Sequence, residues 1–249
     1  MKSMEENASQ LPRRQAMLLS GMIAEYIRTG RPVGSEYLTD ALGLEVSPAT
    51  VRHDLRNLEE EGYITQPHTS AGRIPTDKGY RFYVNNLVAQ DISRRQEHLI
   101  EKQLEAMNTE YGRTSRATAK LLSQLAHCLV ISGWIKAKDI QEAGLSQMLQ
   151  TSGQEKNEAL SELTSILEHV DQYLQTLSQQ HEANHGTSIY IGSENPLYDA
   201  VHTSALVRTV GTPEGETIVL LVVGPKRMPY QRNIALLNSV ASILHRDYL

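Results

Sequence analysis

Hydrophobic positions near the start of the chain recur with helical spacing. Leu19, Met22, Ile23, Tyr26 and Ile27 fall at i, i+3, i+4, i+7 and i+8, the stripe of an amphipathic helix, and Gly30 and Pro32 stop it. Leu38, Ala41 and Leu42 mark a second, short helix ended by Gly43. Ser47 then precedes Pro48. A serine can cap a helix, and a proline is tolerated at its first position because no N–H is needed there. The third helix carries Val51, Leu55 and Leu58 on one face and closes at Gly62. Tyr63 and Ile64 read as a short strand, residues 67–73 as a turn-rich loop, and Thr76 and Asp77 as the cap of a helix through Tyr80, Tyr83 and Leu87.

The pattern then changes. Residues 89–126 read as helical, with Ile100, Leu104, Met107 and Tyr111 on one face and Leu121, Leu122 and Leu125 on another, and Gly112 to Ser115 is a candidate break. Leu129 to Trp134 predicts a strand, whereas residues 136–156 are polar and weakly patterned. Leu160, Leu163, Leu167, Val170, Leu174 and Leu177 alternate spacings of three and four, a heptad-like seam less than three heptads long. Two readings stand for it: a helix lying on a sheet, or a helix–helix dimer contact. Ser188 to Gly192, Leu206 to Val210 and Thr217 to Val223 predict strands, with a hairpin at Gly211 to Gly215. Residues 230–246 predict a closing helix with Ile234, Leu237, Val240, Ala241 and Leu244 inward. The expected fold class is α+β: an N-terminal winged helix-turn-helix domain, a helical linker, and a C-terminal antiparallel sheet with flanking helices. The expected boundaries are a disordered N-terminus at 1–10, a DNA-binding domain at 11–90, and the linker with the sheet domain at 91–249.

Composition adds limits. The 249 residues carry 40% hydrophobic and 21% charged positions and a formal net charge of −5, so any nucleic-acid surface has to be local. Residues 11–90 hold nine Lys or Arg and nine Asp or Glu. A neutral domain binds polyanions weakly by itself, which favours two domains on one site, that is, a homodimer. The start of the chain has no apolar signal-peptide core, and the longest apolar run, Ile218 to Gly224, falls far short of the ~20 residues a membrane helix needs. Cytoplasmic residence without membrane contact is the expectation. Cys128, the single cysteine, sits in an apolar run and reads as a buried, inert thiol.

The candidate chemistry lies on the third helix. Opposite its apolar face stand Ala49, Thr50, Arg52, His53, Arg56 and Asn57, with Ser47 at the start. Arginine can fork onto guanine, asparagine onto adenine, and threonine or alanine methyls can touch thymine, all within a major groove wide enough for a helix. The acidic run Glu59-Glu60-Glu61 lies beyond this face. The loop that would form the wing offers His68, Thr69, Ser70 and Arg73, suited to phosphate or minor-groove contact, and Arg13, Arg14, Lys78 and Arg81 are second-tier phosphate candidates.

These residues also carry a family resemblance. Gly34 to Leu38, SPATVRHDLRNLEEEGYI at 47–64 and above all QPHTSAGRIPTDKGYRFYV at 66–84 resemble the HrcA family of bacterial heat-inducible transcription repressors. IYIGSENPL at 189–197 and VVGPKRMPYQRNIALLNSVA at 222–241 resemble that family's C-terminal GAF-like domain. The resemblance implies a repressor of chaperone operons that binds double-stranded DNA at an inverted-repeat operator as a homodimer and is released on heat stress. It also implies activity tied to chaperonin availability. Two departures stand out. The family's inserted dimerisation segment is reduced around residues 135–156, which makes the heptad-like helix at 160–177 a candidate replacement. His53 occupies a position where the family usually has asparagine.

Enzymatic motifs are missing from the sequence. There is no P-loop, no GxGxxG after a strand and no HExxH, and His127-Cys128 are adjacent rather than arranged as a nucleophile pair. His181 and His185 are spaced like a metal pair but have only Glu182 beside them. No catalytic residue, cofactor or metal is expected. Two other functions fit the pattern less well: a ligand-sensing regulator with an effector site in the GAF-like domain, and a winged-helix protein-interaction module. Arg52, Arg56 and Asn57 on the third helix disfavour the latter.

Overall fold

A computed structural model describes residues 11–68, 71–88, 90–111, 113–150, 156–180, 186–196, 200–212 and 215–247. The expected disorder at 1–10 and the His181/His185 pair lie outside these. The chain divides into two compact units, residues 1–86 and 87–249.

In the first unit, α1 (Arg13–Thr29), α2 (Ser35–Ala41) and α3 (Pro48–Glu60) are followed by β1 (Ile64–Thr65), β2 (Ile74–Pro75) and α4 (Asp77–Asn85). Leu18, Leu19, Met22 and Ile23 of α1 pack into one core with Leu38, Val51, Leu55 and Leu58, all essentially inaccessible. The punctuation works locally. Gly30 takes the left-handed conformation that ends α1, with φ 65°. Thr76 Oγ1 accepts the Gly79 N–H and donates to carbonyls at Gly62 and Tyr63, capping α4 and tying it to the end of α3. Strands β1 and β2 pair antiparallel, and Val33 adds a bridge to Arg73 on the outer side. This is the small winged sheet that the sequence predicts.

The second unit begins with α5 (Arg94–Tyr111) and α6 (Thr114–Ala126), which break where Gly112 to Ser115 suggest. Strands β3 (Leu129–Trp134) and β4 (Asp139–Ala143) follow, then α7 (Leu145–Gln150), α8 (Lys156–Glu168), α9 (Val170–Gln180), β5 (Ser188–Ile191), β6 (Thr203–Gly211), β7 (Thr217–Pro225) and α10 (Tyr230–Asp247). The sheet is antiparallel with order β4-β3-β7-β6-β5. Its central strands are buried on both faces, which is why β7 reads as an unbroken apolar run. On one face Leu129, Ile131, Ala205, Val207, Val219, Leu221 and Val223 pack against α8 and α9. The alternate residues turn to the other face, covered by α6 and α10. Helix α5 lies on that helical layer, where Arg246 of α10 meets Glu97 at 3.1 Å and Glu101 at 3.4 Å.

Two features were not anticipated. Residues 139–143 form an edge strand and 145–150 a short helix, where the sequence shows only weak patterning. An edge strand buries little, so its residues need not alternate. The heptad-like stretch is also not one helix. It breaks at His169, and Leu163, Ile166, Leu174 and Leu177 are buried against the sheet. That face is consumed inside the unit, so the dimer-seam reading of 160–177 is corrected in favour of helices lying on a sheet. A carboxylate fastens this layer: Glu162 of α8 accepts the N–H groups of Val201, His202 and Thr203 and the Thr203 hydroxyl, at 2.6 to 3.1 Å.

Leu174→Ala should therefore lower stability by ~2–5 kcal/mol, the range for a fully buried leucine, and leave the oligomeric state unchanged. Denaturant unfolding with light scattering checks both. A changed oligomeric state at undiminished stability would restore the seam reading.

Candidate nucleic-acid interface

Helix α3 has two chemically distinct sides. Val51, Asp54, Leu55 and Leu58 are buried, whereas Ser47, Ala49, Arg52, His53 and Arg56 are exposed and Thr50 and Asn57 half-buried. The outward side collects seven of the sequence-predicted residues on one surface. Its start is fixed by Ser47, whose Oγ accepts the Thr50 N–H at 3.2 Å and lies 3.1 Å from the Thr50 hydroxyl. The cap leaves the next turn's N–H groups at an exposed helix start, where the positive end of the helix dipole favours phosphate.

The wing is held from inside. Val33 and Arg73 exchange both backbone hydrogen bonds at 2.9 Å, and Gln66 Nε2 donates to the Ala71 carbonyl at 2.8 Å. Gly72 lies so close to this junction that a Cβ there would stand 2.6 Å from the Val33 backbone, so only glycine fits. His68 is exposed at the turn. Thr69 and Ser70 lie outside the described residues.

Three of the remaining basic residues, Arg73, Arg14 and Lys78, are already engaged within the domain. Arg73 is only 14% exposed, and its Nε donates to Glu59 at 3.1 Å. Arg14 grips Asp54 with two prongs, Nε to Oδ2 at 2.6 Å and Nη2 to Oδ1 at 3.1 Å, while Gln15 donates to the same carboxylate at 3.4 Å. Lys78 donates to the Glu61 carbonyl at 2.7 Å and sits 4.1 Å over the Tyr63 ring. Asp54 and Glu59 thus have structural partners that sequence reading missed. One signal was present: an aspartate at 54 falls on the same helical face as Val51, Leu55 and Leu58, where an unpaired charge would be costly. The Arg14 hydrogen bond holds the Asp54 carboxyl below the ordinary carboxylate range, against the opposing effect of burial.

The second unit holds two hollows of very different size among the described residues, an open cleft of about 410 Å³ lined by Ile135, Lys138, Ile140, Asp171 and Gln175 and a tight cavity under α9. A cavity between α9 and the sheet, lined by Tyr173, Leu177, Tyr190, Asn195, Ala205 and Val207, holds about 10 Å³, room for a single water. Burial pushes the Cys128 thiol up to about 12, so it stays protonated near neutral pH. Among the described residues, no three His, Cys, Asp or Glu side chains are grouped to hold a metal, and no helix is long and apolar enough to cross a membrane.

The ion pair makes a pH prediction. Because the carboxyl of Asp54 is depressed in the folded state, its contribution to stability is present above the ordinary aspartate value and is lost as pH falls through the folded value. The first unit should unfold at progressively lower temperature on acidification below that range, and Asp54→Asn should flatten this part of the curve. Calorimetry across pH checks it.

Comparison with known proteins adds identity to this geometry. Residues 81–234 match the family model described as HrcA protein C terminal domain, and residues 21–76 match a DeoR-like helix-turn-helix domain. A heat-inducible transcription repressor HrcA of Pelotomaculum thermopropionicum is 43% identical over 139 residues, covering 55% of this chain and 40% of that protein. Its counterpart in Geobacter sulfurreducens is 44% identical over 115 residues, covering 46% of this chain and 34% of that protein. The matched stretches thus span well under half the length of these curated relatives. A crystal structure of a hypothetical protein superposes with a TM-score of 0.73 at 19% identity, covering 96% of this chain and 99% of that one, and shares the fold.

Proposed function

The chain belongs to the HrcA family, and from that premise we propose that it is a sequence-specific, DNA-binding transcriptional repressor of heat-shock chaperone genes that grips an inverted-repeat operator as a homodimer. The observation that carries the reading is the outward face of α3: Arg52, His53 and Arg56 exposed, Thr50 and Asn57 beside them, on a helix whose other side is locked in the core. Such a helix enters a major groove with its side chains at the base edges. Arg52 and Arg56 suit guanine, Asn57 suits adenine, and Ala49 and the Thr50 methyl suit thymine. Ser47 and the exposed His68 suit the phosphates flanking the groove, and Thr69 and Ser70 extend the same wing loop. His53, in place of the family's usual asparagine, changes the base preference at its position.

A single copy presents one such helix from a charge-balanced domain, which supports the dimer. Two copies on successive half-sites, about one helical turn apart, double the phosphate contacts and read the repeat twice. Bound protein excludes RNA polymerase. Heat shifts the population away from the correctly spaced dimer, a change that a few kcal/mol suffices to make. The relatives named as heat-inducible repressors support the thermal part. The chaperonin link belongs to the same proposal, as does residence in the cytoplasm, where operator and chaperonin are found.

The test is a gel shift of the full chain on an inverted-repeat fragment from a chaperone promoter, against the same fragment with one half-site scrambled. Strong preference for the intact repeat supports a dimeric operator-binding repressor, and equal weak binding to both overturns it. Arg52→Ala should cost ~1–3 kcal/mol on the intact operator and less on unrelated DNA. A uniform loss across all sequences would demote Arg52 to a phosphate contact.

A further inference from the structure

We propose that Arg14 and Arg73 are positioning residues that hold the reading helix at two points, Arg14 through Asp54 and Arg73 through Glu59, and that neither is a DNA contact. The inference rests on the operator-binding reading above. It starts from an oddity of α3: a helix meant to approach a polyanion carries a buried aspartate near its middle and a half-buried glutamate near its end. Each carboxylate is met by an arginine from another element. Asp54 takes its arginine from α1 and Glu59 from the wing. The negative charges are neutralised locally, so they do not repel phosphate across the interface.

The geometry is that of fixed clamps. Arg14 contacts both oxygens of Asp54, at 2.6 and 3.1 Å, and a planar fork on a planar carboxylate sets orientation as well as distance. Gln15 adds a third donor at 3.4 Å. The Asp54 side chain is 4% exposed, so this contact lies on the core side of α3, away from the reading face. Arg73 is constrained twice, by its backbone bonds to Val33 and by its Nε on Glu59 at 3.1 Å. The wing, the α1–α2 connection and the end of α3 meet in that one residue. Precision of this kind matters for reading bases. Helix α3 has 13 residues and so is ~20 Å long, and a tilt of ~10° about one end would move the other by ~3 Å, more than a hydrogen bond tolerates. Two pairs five residues apart suppress that tilt.

The experiment compares the full chain and its variants on the inverted-repeat duplex and a scrambled duplex, by fluorescence anisotropy over a series of salt concentrations. Folding is verified by circular dichroism. Arg73→Glu should reduce operator preference about tenfold. Adding Glu59→Arg should restore most of it, because the reversed pair re-forms the clamp. The reversed pair, whose charges balance as before, should also return the slope of log affinity on log salt to that of the native chain. If Arg73 instead touches a phosphate, the reversed pair keeps a slope lowered by about 0.9 and rescues nothing, which overturns the proposal. Arg14→Gln, at an exposed position, serves as the second variant. Its preference should fall with the salt slope unchanged, and Arg14→Gln with Asp54→Asn should recover it through a neutral amide pair. A lowered slope for Arg14→Gln, or no recovery in the double variant, overturns the Arg14 half. Equal binding of the native chain to both duplexes overturns the operator reading and this proposal with it. Native preference without rescue overturns this proposal alone.

Discussion

The contact between α3 and α1 decides what the first unit can do. Val51, Leu55 and Leu58 are buried against the stripe of α1, and Asp54 closes onto Arg14 from the same side. Once that side is committed, the rotation of α3 about its axis is set, and with it the direction in which Arg52, His53, Arg56 and Asn57 face. The apolar contacts supply most of the stabilisation, because each fully buried leucine or valine is worth about 1.5–3 kcal/mol. They are non-directional, however. The two-pronged ion pair adds the direction that packing alone leaves loose.

The second unit is built on another principle. Its central strands are covered on both faces, so it needs helical layers on each side, and the chain supplies them in two groups: α6 and α10 on one face, α8 and α9 on the other. Packing under α9 is tight, and the cavity there has room for a single water. The proposed dimer must use surfaces other than the leucines at 163, 174 and 177, since these already serve the sheet.

Much of this was legible in the sequence, for identifiable reasons. Helical periodicity located α1 and α3, the Ser47-Pro48 pair marked the start of α3 to the residue, and the apolar run marked β7 as a strand, whose burial on both faces the structure adds. The edge strand at 139–143 was invisible because it has little to bury. The heptad-like spacing at 160–177 was ambiguous in principle, since a helix on a sheet and a helix on a helix both ask for apolar residues at three- and four-residue steps. For the candidate interface, exposure along α3 followed from the period of the helix. The partners of Arg14 and Arg73 did not, because ion pairs between residues 40 and 14 positions apart depend on tertiary geometry that no local pattern encodes.

The central claim is that the outward face of α3 reads bases. The most direct measurement is selection from random-sequence DNA with the native chain and with variants in which His53 or Arg56 is replaced by alanine. The account predicts that the native chain recovers two inverted half-sites, and that each variant loses preference at one base-pair position, the same one in both half-sites. An unchanged motif from both variants, or no inverted repeat from the native chain, would contradict it.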